Sequence, residues 1–156
     1  MTIIEGGVLP DIDLAAPDGG RLKLDAYRGR IFVLYFYPKD DTAGCTREAQ
    51  DFSALYPEFQ ALGAELLGVS RDTPAKHQKF TAKYGLTVPL ASDDGEVALQ
   101  TFGVWVEKML YGKTYMGIER ATFLFDANGV LVRSWRKVRV PGHAEAVLEA
   151  VRALAA

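Results

Sequence analysis

The chain holds a single cysteine, Cys45, placed where an apolar strand pattern gives way to an amphipathic helix pattern. A thiol at that position lies near unpaired backbone N–H groups and the positive end of the helix dipole, and both favour the thiolate. Because the thiolate is the nucleophilic form of cysteine, this placement predicts a reactive residue. Free cysteines are also among the residue types most often buried as inert packing. The strand–loop–helix context favours the reactive interpretation.

Composition excludes several other classes of protein. One cysteine cannot form an internal disulfide, and with only His77 and His143 besides it a structural zinc site has too few ligands. A net charge of −2 gives no basic surplus for nucleic acid. The longest apolar run, residues 31–37, is too short to span a membrane, and residues 1–7 do not resemble a signal peptide. We expect a cytoplasmic protein without metal, cofactor, nucleic-acid partner or membrane partner.

The sequence pattern predicts alternating strands and helices in the first half of the chain. A length of 156 residues suits one domain, residues 1–156, that buries roughly two thirds of its unfolded surface. Pro57 interrupts the first helical pattern, so we expect a kink or a fresh helical start there. Periodicity and turn residues predict an N-terminal hairpin (11–14 and 21–24), strands at 31–37 and 65–70, and helices at 44–62 and 74–84.

The second half ends in a hairpin and a helix. The patterns predict a strand at 88–91, a helix at 96–102, an irregular aromatic loop at 103–117, a hairpin of 121–125 and 130–136 around a type I′-like turn at 126–129, and a helix at 142–156. This order of elements indicates an α/β fold, a central mixed β-sheet with helices on both faces. A thioredoxin-like fold satisfies the order, as do several other α/β folds.

The residues around Cys45 resemble the active-site motif of the peroxiredoxins, in the form Pro38-x-x-x-Thr42-x-x-Cys45. The longer run 35–48 resembles the bacterioferritin comigratory protein branch of that family. Further blocks that resemble the same branch follow in order and with matching spacing, at 67–70, 102–105, 112–115 and 117–124. A lone Thr-x-x-Cys would say little, but ordered blocks over most of the chain are specific.

The resemblance implies a thioredoxin-like fold and the reduction of hydroperoxides by a peroxidatic cysteine, Cys45. It places Pro38 and Thr42 at the proline and threonine of the motif, and Arg120 at the active-site arginine that a distant strand contributes. Glu48 matches an acidic residue that helps to hold this arginine. These roles are expectations that follow from the family.

The sequence departs from the family pattern at two positions. Ala43 stands where many relatives have proline, which changes little. Gln50 stands where many members of the branch have a second, resolving cysteine, and the chain has no other cysteine. The sequence leaves open whether Gln50 is natural or replaces a resolving cysteine. In either case the resolving thiol must come from another molecule.

Ionising the thiol supplies only part of the catalysis that peroxide reduction needs. A thiol of pKa about 8.5 is about 3% ionised at neutral pH, so complete ionisation adds roughly thirtyfold, about 2 kcal/mol. The rest must come from aligning the O–O bond and stabilising the leaving oxygen. The Thr42 hydroxyl can donate or accept a hydrogen bond, and Arg120 supplies a positive charge and several donors. The backbone N–H groups of Gly44 and Cys45 can bind a peroxide oxygen. Pro38 can shield the thiolate from solvent.

Each of these residues also has a purely structural interpretation. Thr42 could be a helix N-cap, Arg120 a surface residue at a strand edge and Glu48 a helix-start carboxylate. Other polar and aromatic residues are expected to take no part in the reaction. Asp40 and Asp41 are predicted to be solvated loop residues, and His77 and His143 to be surface residues. Tyr37 and Trp105 are predicted to belong to the core or to a pocket wall.

The resulting functional hypothesis is a one-cysteine thiol peroxidase that reduces hydrogen peroxide and organic hydroperoxides in antioxidant defence. Thioredoxin, glutaredoxin or a small thiol would act as reductant, and we expect a monomer rather than a dimer. One alternative is a peroxide sensor that passes oxidation to a partner protein through a mixed disulfide. Another is a redox-inert binding domain, which the joint presence of Pro38, Thr42, Cys45 and Arg120 disfavours.

Overall fold

The computed structural model describes residues 2–156. The strands within this range are β1 (Asp13–Ala15), β2 (Arg21–Lys23), β3 (Ile31–Phe36), β4 (Ala64–Ser70), β5 (Leu90–Ser92), β6 (Trp105–Leu110), β7 (Lys113–Ile118), β8 (Ala121–Phe125) and β9 (Leu131–Trp135). The α-helices are α1 (Ala43–Ala61), α2 (Pro74–Tyr84), α3 (Val97–Thr101) and α4 (His143–Ala155), and a short 3₁₀ helix spans Leu24–Tyr27. Among these helices, none is long and apolar enough to cross a membrane.

Seven strands form one mixed sheet in the order β2-β1-β5-β4-β3-β8-β9. The central strands β3, β4 and β5 run parallel to one another, while β8 pairs antiparallel with β3 and β9 antiparallel with β8. The pairing of Phe36 with Ala121 places the residues just after β3 beside those just before β8. This register brings Arg120 next to the loop that leads to Cys45.

Strand β3 is buried on both faces and separates two apolar cores. Phe32, Leu34 and Phe36 face one core, which also contains α3. Val33 and Tyr35 face the other core, which contains the buried sides of α1, α2 and α4. Alternation along a strand therefore explains why β3 reads as a continuous apolar run in the sequence.

The sequence-based fold class is confirmed, because the chain forms a central mixed sheet flanked by helices with a β1–β2 hairpin at its start. The ends of α2 also follow the sequence. Thr73 caps the helix by accepting a hydrogen bond from the Lys76 N–H, and Gly85 ends it in the left-handed conformation at φ 61°.

The prediction of an irregular loop at 103–117 is wrong. This segment forms a separate two-stranded hairpin, β6–β7, in which Leu110 pairs with Lys113 across a two-residue turn. Both turn residues have positive φ, 52° at Tyr111 and 77° at Gly112, as a type I′ turn requires. Tyrosine is an unusual residue for such a turn, so the usual Asn-Gly or Asp-Gly pattern was absent.

The turn at 126–129 also differs from its prediction. Only Gly129 has positive φ, so the turn is not of the I′ kind. The Asp126 carboxylate instead accepts hydrogen bonds from the N–H groups of Asn128 and Val130 and fixes the turn through its side chain. The hairpin itself is present, as predicted.

Helix α1 continues through Pro57 and does not restart there. Because proline has no N–H, Pro57 cannot donate the helical hydrogen bond to the carbonyl of Ser53, one turn earlier. The Thr87 hydroxyl donates to this carbonyl at 3.2 Å, and the N–H groups of Thr87 and Val88 both donate to the Ser53 hydroxyl at 3.1 Å. A neighbouring segment thus supplies the hydrogen bond that the helix loses.

Candidate active site

Cys45 lies in the first turn of α1 and is only 2% exposed. Strand β3 ends at Phe36, and a short loop leads to Thr42, which has extended backbone geometry at the N-cap position. Helix α1 is held against β3 by Phe52, whose ring stacks on that of Tyr35 with centroids 4.6 Å apart. The helix start is therefore fixed relative to the central strand.

Arg120 connects the sulfur to a buried carboxylate. Its Nη1 donates to Glu48 Oε1 at 2.6 Å, and its Nη2 donates to Cys45 Sγ at 3.4 Å. The Glu48 side chain is 1% exposed and that of Arg120 is 16% exposed. We call Cys45, Glu48 and Arg120 the sulfur cluster. Its geometry excludes the interpretations of Arg120 as a surface residue and of Glu48 as a solvated helix-start carboxylate.

Burial and neighbouring charges shift the pKa values of Glu48 and Arg120 in the sulfur cluster. Burial raises the pKa of Glu48 to about 7, although Arg120 opposes this shift. The pKa of Arg120 is raised by its neighbours Glu48 and Cys45 against the effect of its own burial, so the guanidinium stays charged. Glu48 Oε2 is buried without a hydrogen-bond partner among the described residues. One carboxylate oxygen thus orients the arginine while the other remains unpaired.

The other predicted site residues surround this cluster in different ways. A Cβ atom on Gly44 would lie 3.1 Å from Arg120 Nη2, so glycine leaves room for the guanidinium. Thr42 occupies the N-cap position but its side chain makes no capping hydrogen bond. Its hydroxyl instead donates to the Lys39 carbonyl at 2.8 Å, which leaves oxygen lone pairs able to accept. Pro38 is half-buried in the loop that follows β3.

A cavity of about 290 Å³ adjoins the loop between β3 and α1. Its lining comprises Pro38, Lys39, Arg71, Trp105, Lys108, Tyr115, Met116, Gly117 and Ile118. Trp105 is therefore a pocket-wall residue, as predicted, and the Arg71 guanidinium stacks over its ring at 5.1 Å. Burial lowers the pKa of Lys108, and the Arg120 charge lowers it further. The lining combines aromatic surface with positive charge.

Three sequence predictions for polar residues are wrong. Asp40 is 8% exposed, His77 is fully buried and His143 is 7% exposed. The Asp40 carboxylate binds His77 Nδ1 at 2.6 Å, and His143 Nε2 lies 2.8 Å from the Thr122 hydroxyl. Burial lowers the pKa of His143 to about 4. Asp41 is exposed as predicted, and Tyr37 belongs to the core.

Sequence reasoning missed the partnership of Asp40 and His77, although one pattern could have revealed half of it. His77, Phe80 and Tyr84 follow the i, i+3, i+7 spacing of one helix face, and Phe80 is buried. That spacing places His77 on the buried side of α2. Nothing in the sequence pairs it with Asp40, because the two residues meet only through the tertiary fold.

Comparison with known proteins agrees with this geometry. Residues 6–134 match the model of the AhpC/TSA family. Peroxiredoxin Bcp of Xanthomonas campestris is 50% identical over 143 residues, 92% of this chain and 89% of that protein. Peroxiredoxin Bcp of Bacillus subtilis is 45% identical over 152 residues, 97% of each chain.

Solved structures give the same result. The crystal structure of a cysteine-to-serine variant of Xylella fastidiosa PrxQ superimposes with a TM-score of 0.94 at 39% identity, covering 100% of this chain and 99% of that one. A Xanthomonas campestris bacterioferritin comigratory protein, studied for its alkyl peroxide reduction, superimposes with a TM-score of 0.88 at 49% identity, covering 93% and 92%. This chain therefore belongs to the AhpC/TSA family, among the Bcp-type peroxiredoxins.

Proposed function

We propose that this chain is a thiol-dependent peroxidase that reduces hydroperoxides through Cys45 and relies on an external thiol for its regeneration. The observation that carries the proposal is the Arg120 guanidinium, which contacts Cys45 Sγ and Glu48 Oε1 at once. A fixed cation beside the sulfur favours the nucleophilic thiolate. It also stands where negative charge develops as a peroxide is cleaved.

In the first half-reaction the Cys45 thiolate attacks the terminal oxygen of the hydroperoxide. The S–O bond forms as the O–O bond breaks, so sulfur is oxidised to sulfenic acid and the peroxide is reduced. The oxygen that leaves takes a proton from solvent and departs as water or alcohol. Arg120 stabilises the charge on that oxygen, and removing such a donor from an active site typically costs a factor of 10²–10³.

The remaining motif residues have supporting roles in this proposal. The Thr42 hydroxyl donates to the Lys39 carbonyl and so directs a lone pair that can accept from a peroxide O–H. The first N–H groups of α1, at Gly44 and Cys45, are free of a side-chain cap and can bind peroxide oxygen. Pro38 has no N–H and limits access of water to the thiolate.

In the second half-reaction an external thiol condenses with the sulfenic acid, releasing water and forming a mixed disulfide. A second thiol then releases the Cys45 thiolate and leaves as the disulfide of the reductant. Thioredoxin, glutaredoxin or a small thiol can supply both electrons. The proposal extends to a monomer in the cytoplasm, because the sulfur cluster takes all its residues from one chain and an unpaired catalytic thiol needs a reducing compartment.

The buried position of Cys45 implies that the start of α1 unwinds before a bulky thiol reaches the sulfur. The absence of a side-chain cap at Thr42 and the glycine at position 44 both weaken the start of this helix. Amide exchange should therefore accelerate in residues 44–56 after oxidation by one equivalent of peroxide. Equal protection before and after oxidation would contradict this part of the proposal.

The decisive experiment measures hydrogen peroxide consumption with a thioredoxin system and then with small thiols, comparing the intact protein with Cys45→Ser. Turnover that depends on Cys45 supports the peroxidase, and the better reductant identifies the resolving route. Protein alkylated at Cys45 serves as a control with the natural sequence. Activity equal to that of Cys45→Ser would overturn the proposal.

The same assay separates the enzyme from a sensor. A sensor would consume one equivalent of peroxide and stop, and oxidised Cys45 would then form a lasting mixed disulfide with one partner protein. Continued turnover with a general reductant is the result we expect, because the similar proteins of Xanthomonas campestris and Bacillus subtilis are peroxiredoxins.

A further inference from the structure

The loop between β3 and α1 is held by a buried polar network that the proposed chemistry does not use. Asp40 Oδ1 accepts from the Tyr37 hydroxyl at 2.6 Å, and Asp40 Oδ2 lies 2.6 Å from His77 Nδ1. The Asp40 N–H donates to Asp72 Oδ2 at 2.9 Å, which also accepts from the Ser70 hydroxyl at 2.7 Å. We call Tyr37, Asp40, Asp72 and His77 the loop network.

His77 links this loop to two other elements at once. Its Nε2 lies 3.1 Å from the Ala91 carbonyl in β5, which can only accept, so Nε2 must bear a proton. Its Nδ1 lies 2.6 Å from Asp40 Oδ2, on the loop itself. The imidazole therefore has a defined partner at each nitrogen, and the Tyr37 hydroxyl also lies 3.4 Å from Nδ1. Because it is fully buried, water cannot replace either hydrogen bond without opening the fold.

Helix α2 also restrains the next loop residue. Asp41 has φ 58°, a left-handed conformation that is uncommon for residues other than glycine. Its carboxylate accepts from Lys83 Nζ at 2.8 Å and from the Tyr84 hydroxyl at 2.5 Å, both on α2. A strained backbone of this kind persists only where its surroundings hold it. The loop conformation before Cys45 thus depends on α2.

We propose that His77 is a positioning residue that acts through Asp40 to hold residues 38–42 in the conformation needed for attack on peroxide. The inference rests on the proposed function. Since Cys45 is 2% exposed, the same loop must be released when an external thiol attacks the sulfenic acid. Weakening the His77–Asp40 contact should therefore slow oxidation of Cys45 and accelerate its resolution.

Two amide substitutions separate the two contacts of His77. In His77→Asn the amide nitrogen takes the place of Nδ1 and retains the contact with Asp40. In His77→Gln it takes the place of Nε2 and retains only the contact with Ala91. We expect His77→Gln to slow sulfenic acid formation about tenfold, the effect of one lost buried hydrogen bond, and to accelerate resolution by a small thiol several-fold. His77→Asn should stay within about twofold of the intact protein in both steps.

The other buried histidine provides a matched control. His143 is bonded to Thr122 and not to the loop, so His143→Asn should lower stability without changing the ratio of the two half-reaction rates. Tyr37→Phe removes the other side-chain hydrogen bond to Asp40 with little change in volume. It should change that ratio in the same direction as His77→Gln if the latter folds poorly.

Rates of Cys45 alkylation by iodoacetamide test the inference independently of peroxidase activity. If the intact protein consumed no peroxide, the proposed function would fail, but His77→Gln should still be alkylated several-fold faster than His77→Asn. The inference is overturned if both His77 variants change both half-reactions equally. It is also overturned if Tyr37→Phe and His77→Gln leave alkylation and both half-reactions unchanged.

Discussion

Two buried carboxylates flank the loop and first helical turn that bear Cys45, and they are satisfied in different ways. In the sulfur cluster, Glu48 Oε1 accepts from Arg120, and Oε2 has no hydrogen-bond partner among the described residues. Asp40, in the loop network, has both oxygens bonded, to Tyr37 and to His77. The first carboxylate orients a cation that touches the sulfur. Among the described residues, the second carboxylate is hydrogen-bonded to Tyr37 and His77 and has no hydrogen bond to Arg120 or Cys45.

This difference distinguishes a carboxylate that orients a group at the reacting sulfur from one that holds the loop in place. A half-satisfied buried carboxylate is costly, and it persists beside Cys45 because Arg120 needs a fixed acceptor. A fully satisfied network instead specifies one conformation of the chain. We therefore expect substitutions in the sulfur cluster to alter the rate of peroxide attack most strongly. Substitutions at the exposed contacts of the loop before Cys45 should alter this rate only weakly.

The largest effect is expected from Arg120→Met, which removes both the cation and the donor to Cys45 Sγ. The second-order rate constant for sulfenic acid formation should fall by a factor of about 10²–10³. Stopped-flow oxidation of the reduced protein measures it. Arg152→Met, which alters an exposed arginine paired with Glu58 and Glu149, is the control. A fall of less than tenfold would remove the distinction between the two carboxylates.

The next prediction concerns stability and pH. The pKa of Glu48 is raised from 4.5 to about 7, so its stabilising contribution is present below pH 4.5 and lost as the pH rises to about 7. The amplitude is about 3 kcal/mol in the free energy of unfolding. The pKa of His143 is lowered from 6.5 to about 4, so its contribution is present above pH 6.5 and lost as the pH falls to about 4.

Between pH 4.5 and 6.5 the contributions of Glu48 and His143 to the free energy of unfolding change with pH in opposite directions. They should therefore largely cancel in the intact protein. Glu48→Gln should therefore make the free energy of unfolding rise with pH in this window, whereas His143→Asn should make it fall. Urea unfolding at a series of pH values provides the measurement. Identical profiles for Glu48→Gln and the intact protein would show that Glu48 does not titrate in this range.

A smaller effect is expected from Gly44→Ala. The new Cβ would lie 3.1 Å from Arg120 Nη2 and should displace the guanidinium from Cys45, lowering the rate of peroxide attack about tenfold. Stability should rise slightly, because alanine favours the helix over glycine by about 1 kcal/mol. Gly95→Ala, whose Cβ would meet only Val97 at 3.7 Å, is the control. A parallel loss of stability and rate would indicate general disruption instead.

The smallest effect is expected from Lys83→Met, which breaks the exposed ion pair with Asp41. Exposed ion pairs contribute little to the stability of a conformation, so both half-reaction rates should stay within about twofold of those of the intact protein. Loss of the buried His77–Asp40 contact, by contrast, should slow sulfenic acid formation about tenfold and accelerate resolution several-fold. If Lys83→Met reproduced the effect of His77→Gln, the loop would be held as much from its surface as from its buried side.

Local patterns predicted the regular elements well. The change from a continuous apolar run to helical spacing placed β3 and α1, and with them the position of Cys45 at a helix start. The β6–β7 hairpin was missed because Tyr111 stands where Asn or Asp usually precedes the turn glycine, and because its strands are largely exposed. Exposed strands give little alternation of apolar and polar residues, which is the basis of strand prediction.

The sequence alone determined where the thiol lies along the chain, because strand periodicity, proline and helical spacing are properties of neighbouring residues. Tertiary structure decided which side chains surround it. Arg120 reaches Cys45 from 75 positions away, and His77 reaches Asp40 from 37 positions away. The register of β8 on β3 and the packing of α2 set these contacts. Both depend on burying apolar surface across the whole fold, which no local pattern specifies.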